Sequence, residues 1–294
     1  MLSFTQYLPY LRVLIANPKS LPILLTGGVS EWLERVTNCY GDRGVPRVVT
    51  AHGFRIFLFQ SWPVEGLALI GLFRDFEPET SALFGKIVKP GMTVVDVGAN
   101  IGWYSLLSAR LVGEKGRVIA FEPEPRNYKL MQTSITENDL KNIEAIRACV
   151  ADYDGVARLS VAEKQPGLHS IVRRISARSI EVKACTLDAA LQVSGISHID
   201  LLKIDTEGAE PLVIKGASKF ILGGRCDNII MEWNPDAWIG RESLLLEVLK
   251  KYELFRNNHT PFLLNRISME RLWDSSSWSK GGRTLFFHKK EARL

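Results

Sequence analysis

The sequence has few cysteines, and none of them is spaced for metal binding. Its four cysteines are Cys39, Cys149, Cys185 and Cys226, and no two of them form a CxxC pair. We therefore expect neither a zinc site of the usual type nor a fold that depends on disulfides. Cys149 and Cys226 lie in apolar runs, which is typical of small buried hydrophobic residues.

Long apolar runs are absent as well. The apolar stretch near the N-terminus, residues 8–25, is interrupted by Pro9, Arg12, Pro18, Lys19 and Pro22. No run reaches the roughly 20 residues of a membrane helix, and the first ten residues lack the Lys or Arg that begins a signal peptide. We expect no integral membrane segment and a cytoplasmic protein, and we leave open a weak contact of the N-terminus with a membrane surface.

Neither sign of charge dominates the chain. Thirty-seven basic residues face 32 acidic ones, which gives a formal net charge of +5. This excess is small and scattered, so we expect no nucleic-acid partner. The hydrophobic fraction of 46% is typical of a globular protein with a sizeable core.

From residue 76 onward, short β-branched runs alternate with helical segments. This alternation predicts βαβ units, and hence an α/β fold with a doubly wound, mostly parallel sheet and antiparallel strands at the C-terminus. We expect a domain over residues 76–294, preceded by an N-terminal extension over residues 1–75 that contains helices and a β-hairpin around His52-Gly53. The predicted parallel strands are Met92–Val97, Arg117–Glu122, Ile143–Val150, Ile199–Asp205 and Asp227–Glu232.

The segment from Asp96 to Gly102 follows the first predicted parallel strand, where ligands of such sheets bind. A dinucleotide fingerprint would have glycines where Asn100 and Trp103 stand. A pyrophosphate would therefore meet side chains in place of bare amides. The turn between Gly98 and Gly102, with Asp96 beside it, better suits a cationic ligand such as a sulfonium amino acid. The alternative is a strand-to-helix turn that binds nothing.

An acidic residue ends the second predicted strand, in the run Phe121-Glu122-Pro123. A carboxylate at this position accepts hydrogen bonds from the hydroxyls of a ribose. The alternative is a carboxylate that only favours the start of the next helix. Together with the first motif, Glu122 predicts a nucleoside-binding site.

Carboxylates also follow the fourth and fifth predicted strands. Asp205 and Glu207 lie in the run Lys203–Glu210, and Glu232 lies in Met231-Glu232-Trp233-Asn234-Pro235. These groups are candidate bases for removing a hydroxyl proton, and so are His169 and His259. Helix capping is the alternative for Asp205 and Glu210, and core packing is the alternative for Trp233. A cation held by Asp205, Glu232 and Asn234 is a further alternative, although we expect no metal.

These motifs together resemble the FkbM family of methyltransferases over roughly residues 76–235. The most specific element is Lys203-Ile204-Asp205-Thr206-Glu207-Gly208-Ala209-Glu210, and Glu77-Pro78, Asp152 and Thr186-Leu187-Asp188 also match the family pattern. The resemblance implies a Rossmann-like class I fold, S-adenosylmethionine as cofactor, and a small-molecule or glycan hydroxyl as acceptor. The expected cofactor-binding residues are Glu77, Asp96, Gly98, Asn100, Gly102, Glu122, Pro123 and Asp152.

Two other functions stay open, namely a nucleoside-binding module without catalysis and a methyltransferase acting on nitrogen or on a macromolecule. Against base methylation, Asp205-Thr206-Glu207-Gly208 stands where amino-methylating enzymes of nucleic acids carry Asn/Asp-Pro-Pro-aromatic. The insertion between the third and fourth predicted strands carries Glu163–Ser179. We expect this loop to be a lid whose Arg173 and Arg174 bind an anionic acceptor, with a solvated hairpin as the alternative.

Overall fold

A computed structural model of the protein describes residues 47–58, 76–162, 167–257, 264–266, 272 and 284–290. The predictions for the N-terminal helices, for His259 and for residues 163–166 of the insertion lie outside the described residues. Within the described ranges, no helix combines the length and apolar character needed to span a bilayer.

A central sheet of eight strands organises the described chain. Its parallel strands are β3 (Thr93–Val97), β4 (Arg117–Phe121), β5 (Ile143–Ile146), β9 (Ile199–Ile204) and β10 (Cys226–Glu232). Its antiparallel strands are β11 (Tyr252–Asn257), β12 (Leu264–Arg266) and β13 (Thr284–Lys289). The strand order is β12-β11-β13-β10-β9-β3-β4-β5. The chain thus runs outward from β3 to β5 and returns to β9, which confirms the doubly wound sheet and the antiparallel C-terminal strands.

Helices cover both faces of this sheet. They are α1 (Pro78–Ile87), α2 (Trp103–Val112), α3 (Pro125–Glu137), α4 (Leu187–Val193), α5 (Glu210–Gly216), α6 (Ser218–Ile221) and α7 (Glu242–Lys251). Because successive strand residues point to opposite faces, Val94 packs in the core that contains Phe84 and Leu106, whereas Val95 packs in the core that contains Ile214. Both faces are buried, which is why the parallel strands are apolar without interruption.

The predicted third strand, Ile143–Val150, is wrong in one respect. After β5 ends at Ile146, the amide of Ala148 donates to the carbonyl of Ile146 and the chain turns. Cys149–Val150 then forms β6, which joins β7 (Gly155–Ser160) and β8 (Ser179–Cys185) in a separate sheet of order β6-β8-β7. A continuous apolar run carries no periodicity that would reveal such a turn.

The predicted hairpin is confirmed as β1 (Arg47–Ala51) and β2 (Phe54–Leu58), joined at His52-Gly53. It packs on the main domain: the ring of Phe54 contacts that of Trp103 with centroids 5.4 Å apart. The amide of Phe57 donates to Ser134 Oγ at 3.0 Å. The hairpin therefore shares a core with α2 and α3, while the division of the chain at residue 75 stays a prediction.

The turn after β3 touches the end of β9. Gly98 has a φ of +81°, and a Cβ at this position would lie 1.8 Å from the carbonyl oxygen of Asp205. The amide of Asp205 donates to the carbonyl of Val97 at 3.0 Å. Only glycine allows this approach, so the two chain segments that follow β3 and β9 meet where the strand order reverses.

We predict that Gly98→Ala lowers the free energy of unfolding by at least about 2 kcal/mol, because it adds a backbone clash to an unfavourable φ. Urea unfolding measures the change. The matched control is Gly85→Ala in α1, where a Cβ meets nothing within 4 Å. This control should stabilise the helix by about 0.5–1 kcal/mol. A Gly98→Ala variant as stable as the parent would show that the close approach of the Asp205 carbonyl does not require glycine at residue 98.

Candidate active site

A cavity of about 480 Å³ opens at the carboxyl ends of β3, β4, β9 and β10. Its volume is within the range of small-ligand pockets. Most of the residues expected at the site line it: Glu77, Gly98, Asn100, Glu122, Pro123, His169, Asp205, Glu207 and Glu232. The sequence motifs therefore converge on one place.

The carboxylate of Glu122 lies buried at one side of the cavity. Its Oε2 accepts the amide of Asn100 and its Oε1 accepts the amide of Glu124, both at 2.8 Å. Burial raises the pKa of Glu122 to about 8, because it outweighs the opposing effect of these two hydrogen bonds. In the ionised form, each oxygen keeps a lone pair beyond the amide it accepts, so the carboxylate can still accept hydrogen bonds from a pair of hydroxyls.

A second buried cluster surrounds the ammonium group of Lys203. Its Nζ lies 3.1 Å from Asp205 Oδ2 and 3.7 Å from Asp96 Oδ1. It also lies 5.0 Å from the centroid of the Tyr104 ring. Burial lowers the pKa of Lys203, but the carboxylates of Asp205, Asp96 and Glu77 outweigh it and raise that pKa above its ordinary value.

The acidic members of this cluster have further partners. The hydroxyl of Ser105 donates to Asp96 Oδ2 at 2.6 Å, and that of Tyr104 donates to Glu77 Oε2 at 2.7 Å. Burial raises the pKa of both carboxyls. Sequence reasoning did not assign Lys203 or Tyr104 to the site. A charged residue within the apolar strand was a usable signal for Lys203, whereas Tyr104 looks like any residue of an apolar helix.

Three carboxylates gather on the other side of β3, at the ends of β9 and β10. One oxygen each of Asp205, Glu207 and Glu232 lie within 4.8 Å of one another. Burial, and then the charge of Asp205, raise the pKa of Glu207 to about 7 and that of Glu232 to about 9. The group can take up a proton, and by its donor atoms it could also hold a hard cation.

Asp205 does not cap the helix that follows β9, which was the alternative to a role in the site. Helix α5 begins at Glu210, and its N-cap Ala209 offers no side-chain cap. Glu210 has the structural role, because its Oε1 accepts the amides of Thr206 and Gly208 at 3.2 and 3.0 Å. Asp205 is therefore free of any capping role and keeps its carboxylate towards Lys203 and the cavity.

His169 lines the cavity, but its hydrogen bonding does not suit a base. Its Nδ1 accepts the amide of Ala162 at 3.0 Å. Burial lowers the pKa of the ring, so it stays neutral, with its proton on Nε2. In this tautomer Nε2 donates a hydrogen bond and has no lone pair for a hydroxyl proton. The geometry therefore argues against His169 as the general base.

The insertion reaches the end of β9, as expected, although Arg173 does not face an acceptor. Its Nε donates to the carbonyl of Glu207 at 2.8 Å and its guanidinium pairs with the Glu207 carboxylate. Ser170 Oγ donates to the same carbonyl at 2.9 Å. These bonds hold Glu207 in a left-handed backbone with φ +54°, which non-glycine residues rarely adopt. The positive charge of Arg173 is therefore paired with the carboxylate of Glu207, and its predicted contact with an anionic acceptor stays a prediction.

Three residues expected to bind the cofactor do not line the cavity. Asp152 is exposed and lies 3.9 Å from Lys215 Nζ, which is the clearest departure from the prediction. Asp96 and Gly102 lie directly behind the lining, and a Cβ at residue 102 would meet the Met131 side chain at 2.7 Å. Asp152 lies outside the lining because the chain turns away from the central sheet before β6.

We predict that stability falls as the pH rises from 6 to 9, in part through Glu232. The ordinary pKa of 4.5 holds for the unfolded chain, whereas the folded protein keeps this proton up to about pH 9. Between pH 6 and 9 the unfolded chain has already lost this proton while the folded protein still holds it, so the free energy of unfolding declines as the pH rises. Glu232→Gln should flatten the decline in urea unfolding, and Glu247→Gln, which removes an exposed carboxylate, should not. Equal slopes in all three proteins would contradict the burial effect.

Comparison with known proteins identifies a family of methyltransferases. The family described as the methyltransferase FkbM domain matches residues 96–257. The methyltransferase sdnD of Sordaria araneosa is 26% identical over 185 residues, which cover 52% of this chain and 71% of sdnD. The ribosomal RNA large subunit methyltransferase E of Bdellovibrio bacteriovorus is 33% identical over 110 residues, which cover 36% of this chain and 54% of that protein. The chain thus spans about half the length of that relative.

Among solved structures, that of methyltransferase FkbM from Methylobacillus flagellatus KT superposes with a TM-score of 0.46 at 14% identity. The match covers 78% of this chain and 56% of that one.

Proposed function

The chain belongs to the FkbM methyltransferase family, and from this premise we propose that it methylates a hydroxyl oxygen of a small molecule or glycan. One observation carries the proposal. The carboxylates of Asp205, Glu207 and Glu232 converge in the cavity that Glu122 also lines. Such a site has a nucleoside-binding carboxylate on one side of β3 and proton acceptors on the other.

The methyl donor of this family is S-adenosylmethionine, which supplies an electrophilic methyl group on a cationic sulfur. The residues present fit it. Glu122 suits the ribose hydroxyls, and Gly98 lets the chain after β3 lie against the carbonyl of Asp205, which brings Glu122 and Asp205 to one cavity. The acidic side chains in and behind the lining outnumber their cationic partners Lys203 and Arg173, which favours a positively charged ligand. They are Glu77, Asp96, Asp205 and Glu207, while Glu232 holds its proton and adds no charge.

Asp205 and Glu207 share the task of the base. A hydroxyl that takes the methyl group would lose its proton to one of these carboxylates, while the carbon–sulfur bond of the donor would break and S-adenosylhomocysteine would leave. With a pKa of about 7, Glu207 is about half ionised at neutral pH, whereas Glu232 holds its proton. Lys203 orients Asp205, and Arg173 orients Glu207. The buried walls keep water from competing for the methyl group.

RNA is a second candidate acceptor, which the matches to ribosomal RNA methyltransferases favour. The charge of the cavity opposes it. A phosphodiester chain would bring further negative charge to the carboxylates of Asp205 and Glu207, and like charges repel most strongly where solvent is excluded. We therefore favour a neutral, hydroxylated acceptor over RNA.

We predict micromolar binding of S-adenosylhomocysteine and no binding of NAD, measured by calorimetry. The reason is that Asn100 and Trp103 stand where a dinucleotide-binding loop has glycines, so their side chains keep a pyrophosphate from the backbone amides. Glu122→Ala should weaken binding by about 1–3 kcal/mol, the cost of unpaired polar groups. Glu247→Ala serves as the control and should bind like the parent. Tighter binding of NAD than of S-adenosylhomocysteine would refute the assignment.

We predict that Asp205→Asn and Glu207→Gln each lower turnover by about 10²- to 10⁴-fold, the usual effect of losing a general base. Affinity for S-adenosylhomocysteine should stay near that of the parent. The assay follows formation of S-adenosylhomocysteine with hydroxylated small molecules, oligosaccharides and ribosomal RNA as acceptors, with Asp236→Asn as the control for an exposed carboxylate. Unchanged turnover in both variants would exclude the base role, and turnover with RNA alone would establish the second candidate.

A further inference from the structure

Residues 167–171 of the insertion lie over the Glu122 side of the cavity. Gly167, Leu168, His169 and Ile171 are among its lining residues. A Cβ at Gly167 would lie 3.7 Å from Asn100 Nδ2, so this segment covers the turn that Glu122 holds. The insertion thus contributes to the donor side of the site as well as to the end of β9.

The walls beside His169 are apolar. Phe121, Ala148, Val150 and Leu159 line the same cavity and are all buried. They come from the end of β4, from the turn before β6, from the end of β6 and from β7, next to the carboxylate of Glu122. Charged groups at the start of α3 also act on the ring, because Glu124 raises its pKa and Arg126 lowers it, both less than burial does. A flat apolar ligand with few polar atoms suits these walls.

One hydrogen-bond donor on His169 lacks a partner. Since Nδ1 accepts the amide of Ala162, the proton of the neutral ring is on Nε2. Nε2 is buried and has no hydrogen-bond partner among the residues that the structure describes. A buried donor left unpaired is costly, so a ligand that supplies an acceptor here gains affinity.

The segment that carries His169 is fixed at a neighbouring residue. Ser170 exchanges two backbone hydrogen bonds with Ser160 of β7, at 2.8 and 3.2 Å. Its hydroxyl donates to the carbonyl of Glu207. The imidazole is therefore held on both its ring nitrogen and its backbone, which aims Nε2 in a set direction.

We propose that His169 binds the adenine of S-adenosylmethionine, donating its Nε2 hydrogen to a ring nitrogen of the base between the walls of Phe121, Ala148, Val150 and Leu159. The inference rests on the proposed function, in which this cavity holds the methyl donor. It replaces Asp152, which sequence patterning expects near the cofactor and the fold leaves exposed. Adenine offers acceptor nitrogens and no charge, which matches a neutral imidazole donor.

The test uses S-adenosylhomocysteine and its 1-deaza, 3-deaza and 7-deaza analogues, which each replace one ring nitrogen by CH. Calorimetry on the parent should find one analogue that binds about three- to tenfold more weakly than the others, the usual effect of one hydrogen bond. His169→Phe should bind S-adenosylhomocysteine more weakly by a similar factor and should lose the discrimination. His198→Phe, at the opposite ends of β9 and β10, is the matched control and should behave as the parent does.

A parent protein that binds all three analogues equally well, or a His169→Phe variant that still discriminates, overturns the proposal. If the parent does not bind S-adenosylhomocysteine at all, the proposed function fails. This outcome differs from failure of the His169 proposal, in which the parent binds S-adenosylhomocysteine but does not discriminate among the analogues. His169→Gln keeps an N–H donor and provides a variant should the phenylalanine disturb folding; it should retain part of the discrimination. Nitrogen-15 NMR of labelled histidine gives an independent reading, and a proton on Nδ1 in place of Nε2 also overturns the proposal.

Discussion

The ammonium group of Lys203, buried between Asp96 and Asp205, is the interaction on which the site depends. Taking charges out of water costs several kcal/mol per ion unless each charge is compensated. Here one cation serves two carboxylates and lies over the ring of Tyr104. These residues come from β3, from β9 and from α2. The same contact therefore joins the strands at the switch point and orients the acids that follow them.

This arrangement separates the two halves of the site by charge and by position. Glu122 accepts backbone amides on the β4 side, where the remaining walls are apolar. On the β9 side, Asp205, Glu207 and Glu232 repel one another, which contributes to the raised pKa of Glu207 and of Glu232. The insertion reaches both halves, through His169 on the first and through Ser170 and Arg173 on the second. A reaction that needs a nucleoside on one side and a proton acceptor on the other fits this division.

Sequence reasoning was most successful for residues that directly follow a strand. Glu122, Asp205 and Glu232 line the cavity because the carboxyl ends of parallel strands meet at one edge. It does not foresee arrangements that depend on tertiary contacts. Asp152 lies away from the cavity lining because the chain turns at Ala148, and Arg173 pairs with Glu207 across a distance of 34 residues along the chain. Trp233 is fully buried and stacks on Trp238 with centroids 5.8 Å apart, so core packing explains it.

The most direct test of the account is a crystal structure of the protein with S-adenosylhomocysteine. The account predicts the ribose hydroxyls on the Glu122 carboxylate, the adenine beside His169 and the amino-acid end beside Asp96. The sulfur should then face Asp205 and Glu232, with the acceptor side open beyond it. A ligand bound in the reverse direction, with its adenine among the carboxylates that follow β9 and β10, would contradict the account.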